Sequence, residues 1–342
     1  MRARMAGMTA MAAALVVLAA TAAPGQTRVR SANFDVLYLT PLYVAKEQGF
    51  FTREGLDVQM VPVKAGRLGT TALIAGEVEI SQVDLREAIL ARQQGKQILR
   101  IYSVANRMTM DFIVRNAVLQ ARNLRREQPL LERFKALKGM KIGITAPGAL
   151  SDVVTRFYLK RAGLDPDRDA QLVAIGGGNL PSALRTGQID GYMLSPPTPL
   201  WLEREGVGRI IIKSSAGDVP EFAEYEYVGV SVMKGYAERH EGTLRAFVRA
   251  MNAANRFWRA PENLEKAVDA GQRYFTRVPR EIIRLSILDL KESLSPDGVI
   301  RPSAIKQYMD FERTAYPGQF SEADLNPAEG VYWTNRFNPG AR

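Results

Sequence analysis

The chain has 342 residues, 46% hydrophobic and 24% charged, with a formal net charge of +10; this is an ordinary globular mixture, enough for about two domains. It contains no cysteine and a single histidine, His240. Disulfides, thiolate nucleophiles, cysteine-ligated metal sites and any site needing two imidazoles are thereby excluded, and most acid–base enzyme schemes are weakened. What remains is a binding protein whose basic balance favours anionic partners.

Residues 1–25 read as a secretory signal peptide. Arg2 and Arg4 form a positive start, Ala10–Ala20 is an apolar run of eleven residues, and Ala22, Ala23 and Gly25 supply the small residues of a cleavage zone. Eleven apolar residues fall short of the roughly 20 that span a bilayer, and no cysteine follows to carry a lipid. The expected mature chain is therefore exported and soluble, in a periplasm.

A strand is expected over Ser31–Leu39. Thr40 as N-cap and Pro41 at the first helical position then open a helix that runs to Gln48, where Gly49 stops it. A second strand follows at Leu56–Val61, then a glycine-bearing loop at Lys64–Gly69, a helix ending at Ala75 and Gly76, and a strand at Val78–Val83. This β-α-β-α-β order predicts a mostly parallel sheet wrapped by helices.

The same grammar returns downstream, with strands at Lys141–Thr145, Gln171–Ile175 and Ile189–Leu194 separated by helices at Ala149–Ala162 and Leu180–Thr186. The segments Ala72–Glu79 and Ala183–Asp190 match each other as helix end, glycine cap and short strand. From Gly235 the pattern turns helical: Leu244, Phe247, Val248 and Met251 form one apolar face that must pack on a lobe. Residues 294–342 are punctuated by Pro296, Pro302, Pro317, Pro327 and Pro339 and read as loop-rich.

The run Pro41–Phe51, followed by Glu54-Gly55-Leu56-Asp57-Val58, strongly resembles the opening of the nitrate/sulfonate/taurine family of ABC-transporter solute-binding proteins. Ala72–Ile80, Leu137–Gly143 and Ala183–Gly191 ahead of Ser195-Pro196-Pro197 agree in the family's order. The resemblance covers roughly residues 30–290 and is specific for the superfamily, not for the ligand. It implies an α/β fold of the periplasmic-binding-protein type II: two Rossmann-like lobes joined by a two-segment hinge, with ligand trapped between them. The crossings are placed near Asn106–Asp111 and Gly229–Lys234, which gives residues 28–110 plus 235–342 to lobe 1 and 111–234 to lobe 2. The implied role is non-enzymatic: a monomer that captures a small anion of the sulfonate, nitrate or carboxylate class for an inner-membrane ABC permease, with no cofactor, no metal and no nucleic acid.

In open α/β sheets ligands sit at the carboxyl ends of strands, where helix N-termini present free N–H groups. The candidates are Thr40, Pro41, Gly66, Arg67, Gln82, Asp84, Asn106, Pro147, Gly148, Ala149, Gly177, Asn179, Ser195 and Pro196. Arg67, in a glycine-flanked loop at a helix start, can clamp an oxyanion through two parallel hydrogen bonds, or it is a solvated loop residue. Asp84 either receives an amine, as in relatives resembling pyrimidine-precursor binders, or caps a helix. Tyr38, Tyr43 and Tyr192 form an aromatic wall or belong to the core.

Gly176-Gly177-Gly178 fails the dinucleotide fingerprint because Pro181 stands where the third glycine belongs. The basic stretch Arg122, Arg125, Arg126, Arg133, Lys135, Lys138 and Lys141 has one aromatic residue, Phe134, and reads as a solvated face. Two rival classes stay open: a thiamine-precursor binder or biosynthetic enzyme of the same fold, against which the absent cysteines speak, and a periplasmic sensor subunit.

Overall fold

A computed structural model describes residues 25–34, 36–63 and 66–341; apart from Gly25, the expected signal peptide lies outside them. Its strands are β1 (Thr27–Asn33), β2 (Leu56–Pro62), β3 (Ser81–Val83), β4 (Ile98–Ala105), β5 (Asp111–Arg115), β6 (Lys141–Ile144), β7 (Gln171–Ala174), β8 (Gly191–Leu194), β9 (Gly208–Lys213) and β10 (Val228–Met233). The helices of the first lobe are α1 (Thr40–Glu47), α2 (Phe50–Arg53), α3 (Gly66–Ala75) and α4 (Leu85–Gln93). The second lobe carries α5 (Asn116–Arg122), α6 (Leu130–Lys135), α7 (Leu150–Arg161), α8 (Leu180–Thr186) and α9 (Thr198–Arg204). After β10 come α10 (Lys234–Arg239), α11 (Glu241–Arg259), α12 (Leu264–Gln272), α13 (Arg280–Leu290) and α14 (Pro302–Ala315).

Two strand arrays of like order result, the first a two-stranded and a three-stranded sheet linked by a single bridge, the second one five-stranded sheet. In the first, β2 pairs with β1, Ser31 of β1 bridges Ile80 ahead of β3, and antiparallel β10 joins β3 to β4. In the second the order is β7-β6-β8-β5-β9, and β5 is the antiparallel strand. Each lobe thus places one antiparallel strand next to an edge, and that strand enters from the crossing that connects the lobes.

Residues 106–110 join β4 of the first sheet to β5 of the second. Gly229–Met233, expected near the second crossing, lies in strand β10, hydrogen-bonded to β3 and β4 of the first sheet, and residues 214–227 join β9 to β10. An apolar run with an interior glycine looks the same in a hinge as in a strand, and only long-range pairing distinguishes them.

The strand expected at Ser31–Leu39 also ends early. After Asn33 the chain turns, and Leu37–Leu39 is a short 3-10 segment. The Tyr43 hydroxyl donates to the carbonyls of Phe34 and Val36 at 2.8 and 3.2 Å, and Thr40 Oγ1 donates to Leu37 O at 2.6 Å. These side-chain bonds satisfy a backbone that would otherwise need a neighbouring strand.

Leu244, Phe247, Val248 and Met251 of α11 are all fully buried. α11 packs on α1 and α2, with the Phe247 and Phe51 rings stacked at 4.9 Å. The segment that reads as loop holds a fourteen-residue helix, α14, because Pro302 sits at its first position, where a missing N–H costs nothing. Residues 332–334 then run along the edge of β4, with Arg100 N donating to Tyr332 O at 2.8 Å and Thr334 N to Arg100 O at 2.9 Å. The tail thereby covers an open sheet edge. Among the described residues no helix is long and apolar enough to cross a membrane.

Candidate functional site

The carboxyl ends of the two sheets meet at the crossings. Thr109 in the first crossing and Ser195 after β8 share a 2.6 Å hydrogen bond, and Ser195 lies 3.3 Å from the Tyr227 hydroxyl just ahead of β10. Three hydroxyls from three chain segments thus converge, nearly all buried. Tyr38, half-buried, sets its ring edge-on to Tyr227 at 5.7 Å. Burial raises the Tyr227 phenol to about 12 and pushes Tyr38 well above the ordinary range, so both stay neutral.

Asp84 adjoins this group. Its Oδ1 caps α4 by accepting from Arg86 N at 2.8 Å and also accepts from the Tyr308 hydroxyl at 2.6 Å. Its Oδ2 is buried without a hydrogen-bond partner among the described residues. Burial raises its pKa, and the Tyr308 bond together with the charges of Arg100 and Arg86 opposes that rise. Arg100 is itself enclosed: it pairs with Glu226 at 3.0 Å and donates to Val83 O at 2.5 Å, and Ser103 Oγ holds the other Glu226 oxygen at 2.9 Å. Partner and hydrogen bonds together make such a buried charge tolerable.

Gly66 and Arg67 are exposed in the first turn of α3; burial and the nearby Asp84 raise the carboxyl of Glu87 in α4, and the Arg67 charge opposes that rise. On the second lobe Pro147 and Gly148 are exposed ahead of α7, whose N-cap is Ala149. Asp152 folds back to accept from Gly148 N at 2.7 Å, and Ser151 Oγ accepts from Thr145 N at 3.0 Å. Gly177 and Asn179 form the 3-10 turn before α8, where Asn179 Nδ2 donates to Ile175 O at 3.1 Å. Pro196 is joined to Pro197 by a cis bond.

The remaining candidates make contacts within the fold. Thr40 is fully buried with its hydroxyl committed to Leu37 O, and Pro41 is buried at the helix start. Asn106 contributes its backbone, donating to Ser293 O and accepting from Tyr225 N. Gln82 is buried, with its amide nitrogen 3.4 Å from Ser31 Oγ. Of the three tyrosines, Tyr43 and Tyr192 are fully enclosed, and only Tyr38 adjoins the crossings.

The basic stretch largely turns on its own lobe: Arg122 holds the carbonyls of Ala136 and Lys138, Arg133 holds Ile211 O and Asp218, and Lys138 pairs with Asp169. His240 stacks on Tyr236 at 4.2 Å, far along the chain from these groups.

Sequence reasoning misses Thr109, Tyr227, Asn33 and Ser81. Asn33 Oδ1, Ser81 Oγ and Gln82 Oε1 are buried without a partner among the described residues, Asn33 closing β1 and the other two within β3. Unsatisfied buried groups call for water or ligand, and nothing in the local sequence of β1 or β3 announces that these side chains are enclosed.

The chain is similar to the protein YtlA of Bacillus subtilis, 26% identical over 279 residues that cover 80% of this chain and 79% of that one. It is 25% identical over 289 residues to the bicarbonate transport ATP-binding protein CmpC of Synechococcus elongatus, covering 79% of this chain but 43% of CmpC. Among solved structures it resembles a protein from Bordetella bronchiseptica RB50, with TM-score 0.77, 24% identity and coverage of 93% and 97%. It also resembles the periplasmic nitrate-binding protein NrtA of Synechocystis PCC 6803, with TM-score 0.73, 14% identity and coverage of 92% and 88%. The aliphatic sulphonate binding protein SsuA of Escherichia coli superposes with TM-score 0.67, 17% identity and coverage of 91% and 99%. These structures share the two-lobe periplasmic-binding fold. With residues 22–270 matching that family's model, the chain belongs to the NMT1-like family.

Proposed function

We propose that the chain is the periplasmic solute-binding protein of an ABC importer, a non-catalytic monomer that takes a small anion of the sulfonate, nitrate or carboxylate class between its lobes. The observation that carries this reading is the meeting of two like sheets, carboxyl end to carboxyl end, at Thr109, Ser195 and Tyr227. Such a hinge suits capture by closure, and the closed form is what an inner-membrane permease would recognise. The relatives named for bicarbonate, nitrate and sulphonate support the ligand class. So does Arg67, exposed in the opening turn of α3.

One observation favours a second reading. Asp84 Oδ2 has no hydrogen-bond partner among the described residues, and an amine of the thiamine-precursor type would supply one. A thermal-shift screen of the purified protein against nitrate, bicarbonate, alkyl sulfonates, carboxylates and pyrimidine amines decides between them, because a ligand that binds only the native state raises the melting temperature. For an anion, Arg67→Ala should cost about 1.5–3 kcal/mol, roughly a 10- to 150-fold loss of affinity. Asp84→Asn, whose amide oxygen can still accept from Arg86 N and Tyr308, should then change little. Loss of binding in Asp84→Asn with Arg67→Ala silent overturns the anion reading.

A further inference from the structure

Among the described residues, no hydrogen bond or ion pair joins residues 27–105 directly to residues 111–213. Outside the two crossings, the lobes are tied together by the C-terminal segment. One tie is the ion pair of Lys213 in β9 with Asp289 in α13. α13 also packs against α9, and the remaining hydrogen bonds converge on α14.

The middle of α14 is bound to α4 of the first lobe. The Tyr308 hydroxyl meets both Asp84 and Arg86 N, and Glu312 pairs with the Arg86 guanidinium. Its last turns are bound to α7 of the second lobe: the Phe311 and Phe157 rings meet edge-on at 5.1 Å, and Lys160 Nζ donates to Ala315 O at 2.9 Å. Tyr316, the residue that ends the helix, is held from both sides. Its hydroxyl donates to Val153 O of α7 at 2.9 Å, and its ring centre lies 4.6 Å from the Arg86 guanidinium and 5.0 Å from the Lys160 ammonium. Each contact of a cation with a ring face is attractive.

We propose that Tyr316 is a positioning residue that sets the width of the cleft. Both helices it touches begin at the cleft, α4 at its Asp84 cap and α7 at Ala149. Bringing those ends together requires α7 to move against α14, which is anchored on α4. The Tyr316 ring therefore holds the two helices at a set spacing and favours the open arrangement until ligand offsets it. This rests on reading the cleft as a solute site, yet the spacing of the lobes can be measured with no solute present.

The test uses the absence of cysteine. Thr71 in α3 and Ser182 in α8 are exposed, so Thr71→Cys with Ser182→Cys gives one spin-label pair across the cleft in the full chain. Pulsed electron-electron distance measurements without ligand should show that Tyr316→Ala raises a shorter-distance population roughly tenfold. Tyr316→Phe keeps the ring between both cations and should return the wild-type distribution. Phe311→Leu, a milder loss on the same face, should shift it in the direction of Tyr316→Ala and stands in if that variant does not fold. Unchanged distributions in Tyr316→Ala and Phe311→Leu with lowered melting temperatures would mean that α14 only stabilises the fold, and the proposal falls. A shift in Tyr316→Phe as large as in Tyr316→Ala overturns the role of the ring. If the spacing shifts as expected while no compound of the thermal screen binds, the solute-binding reading fails and the spacer stands.

Discussion

Asp111 shows how much one buried side chain can impose. It has no exposure, and both its oxygens accept from Ser215, from the backbone N at 3.0 Å and from Oγ at 2.8 Å. Burial is the main cause that lifts its pKa from 3.8 to about 7; the nearby Asp289 adds to the rise, while the Ser215 bonds and Lys213 oppose it. An acid whose folded pKa is raised keeps its proton in the native state where the unfolded chain has already released it. Native protein then binds more protons than unfolded protein between about pH 4 and pH 7, so this residue makes stability fall as pH rises through that window. Asp111→Asn is neutral throughout; its Oδ1 can accept from Ser215 N and its Nδ2 can donate to Ser215 Oγ. We expect the variant to lose part of the fall in melting temperature between about pH 4 and pH 7, measured by calorimetry beside wild type. An identical pH profile in the two proteins would show that Asp111 is ionised in the fold.

At the scale of elements, α3 depends on close approach to the sheet. A Cβ at Gly69 would stand 2.7 Å from Ser81 Oγ and 2.8 Å from the Phe34 ring, whereas one at Gly66 would meet nothing within 4 Å. Gly69→Ala should therefore push α3 outward at a cost of about 1–3 kcal/mol and carry Arg67 with it, lowering both melting temperature and ligand affinity. Gly66→Ala, in the same helix, should leave stability near wild type, so the pair separates crowding from helix propensity. The contrast also shows what was legible in the sequence. Helices bounded by local chemistry were readable to within a residue: α8, with Pro181 in its first turn and Gly187 at its end with φ 75°, is as expected, while α1 starts one residue early with Thr40 inside the helix rather than capping it. Elements fixed by distant partners were not. β10 needs β3 and β4 to be recognised as a strand, and β1 stops early because Tyr43, ten residues past its end, binds the carbonyls that follow. The site was legible in the same measure. Arg67, Gly148 and Asn179 lie at helix starts announced by glycine or proline, while Thr109 and Tyr227 are brought to Ser195 by the fold alone.

For the whole molecule, the sparse bonding between the lobes makes a quantitative expectation about closure. Hydrogen bonds and ion pairs between residues 27–105 and 111–213 are lacking among the described residues, and the polar ties sit at the crossings, α13 and α14. On the proposed function, bound solute supplies attraction across the front, and the closed population should follow its occupancy. Small-angle scattering during titration with the anion found by the thermal screen should show a radius of gyration that decreases and saturates. Under the proposed reading Arg67→Ala weakens one side of the grip without altering the crossings, so its titration should reach the same final radius at a ligand concentration roughly 10- to 150-fold higher. That outcome separates affinity from mechanics: the hinge still closes fully, but more ligand is required to populate the closed form. A variant that stalled at an intermediate radius under saturating ligand would mean that Arg67 contributes to the closed geometry itself. A wild-type radius unchanged at saturation would mean that the lobes are rigidly joined, and capture by closure would have to be abandoned.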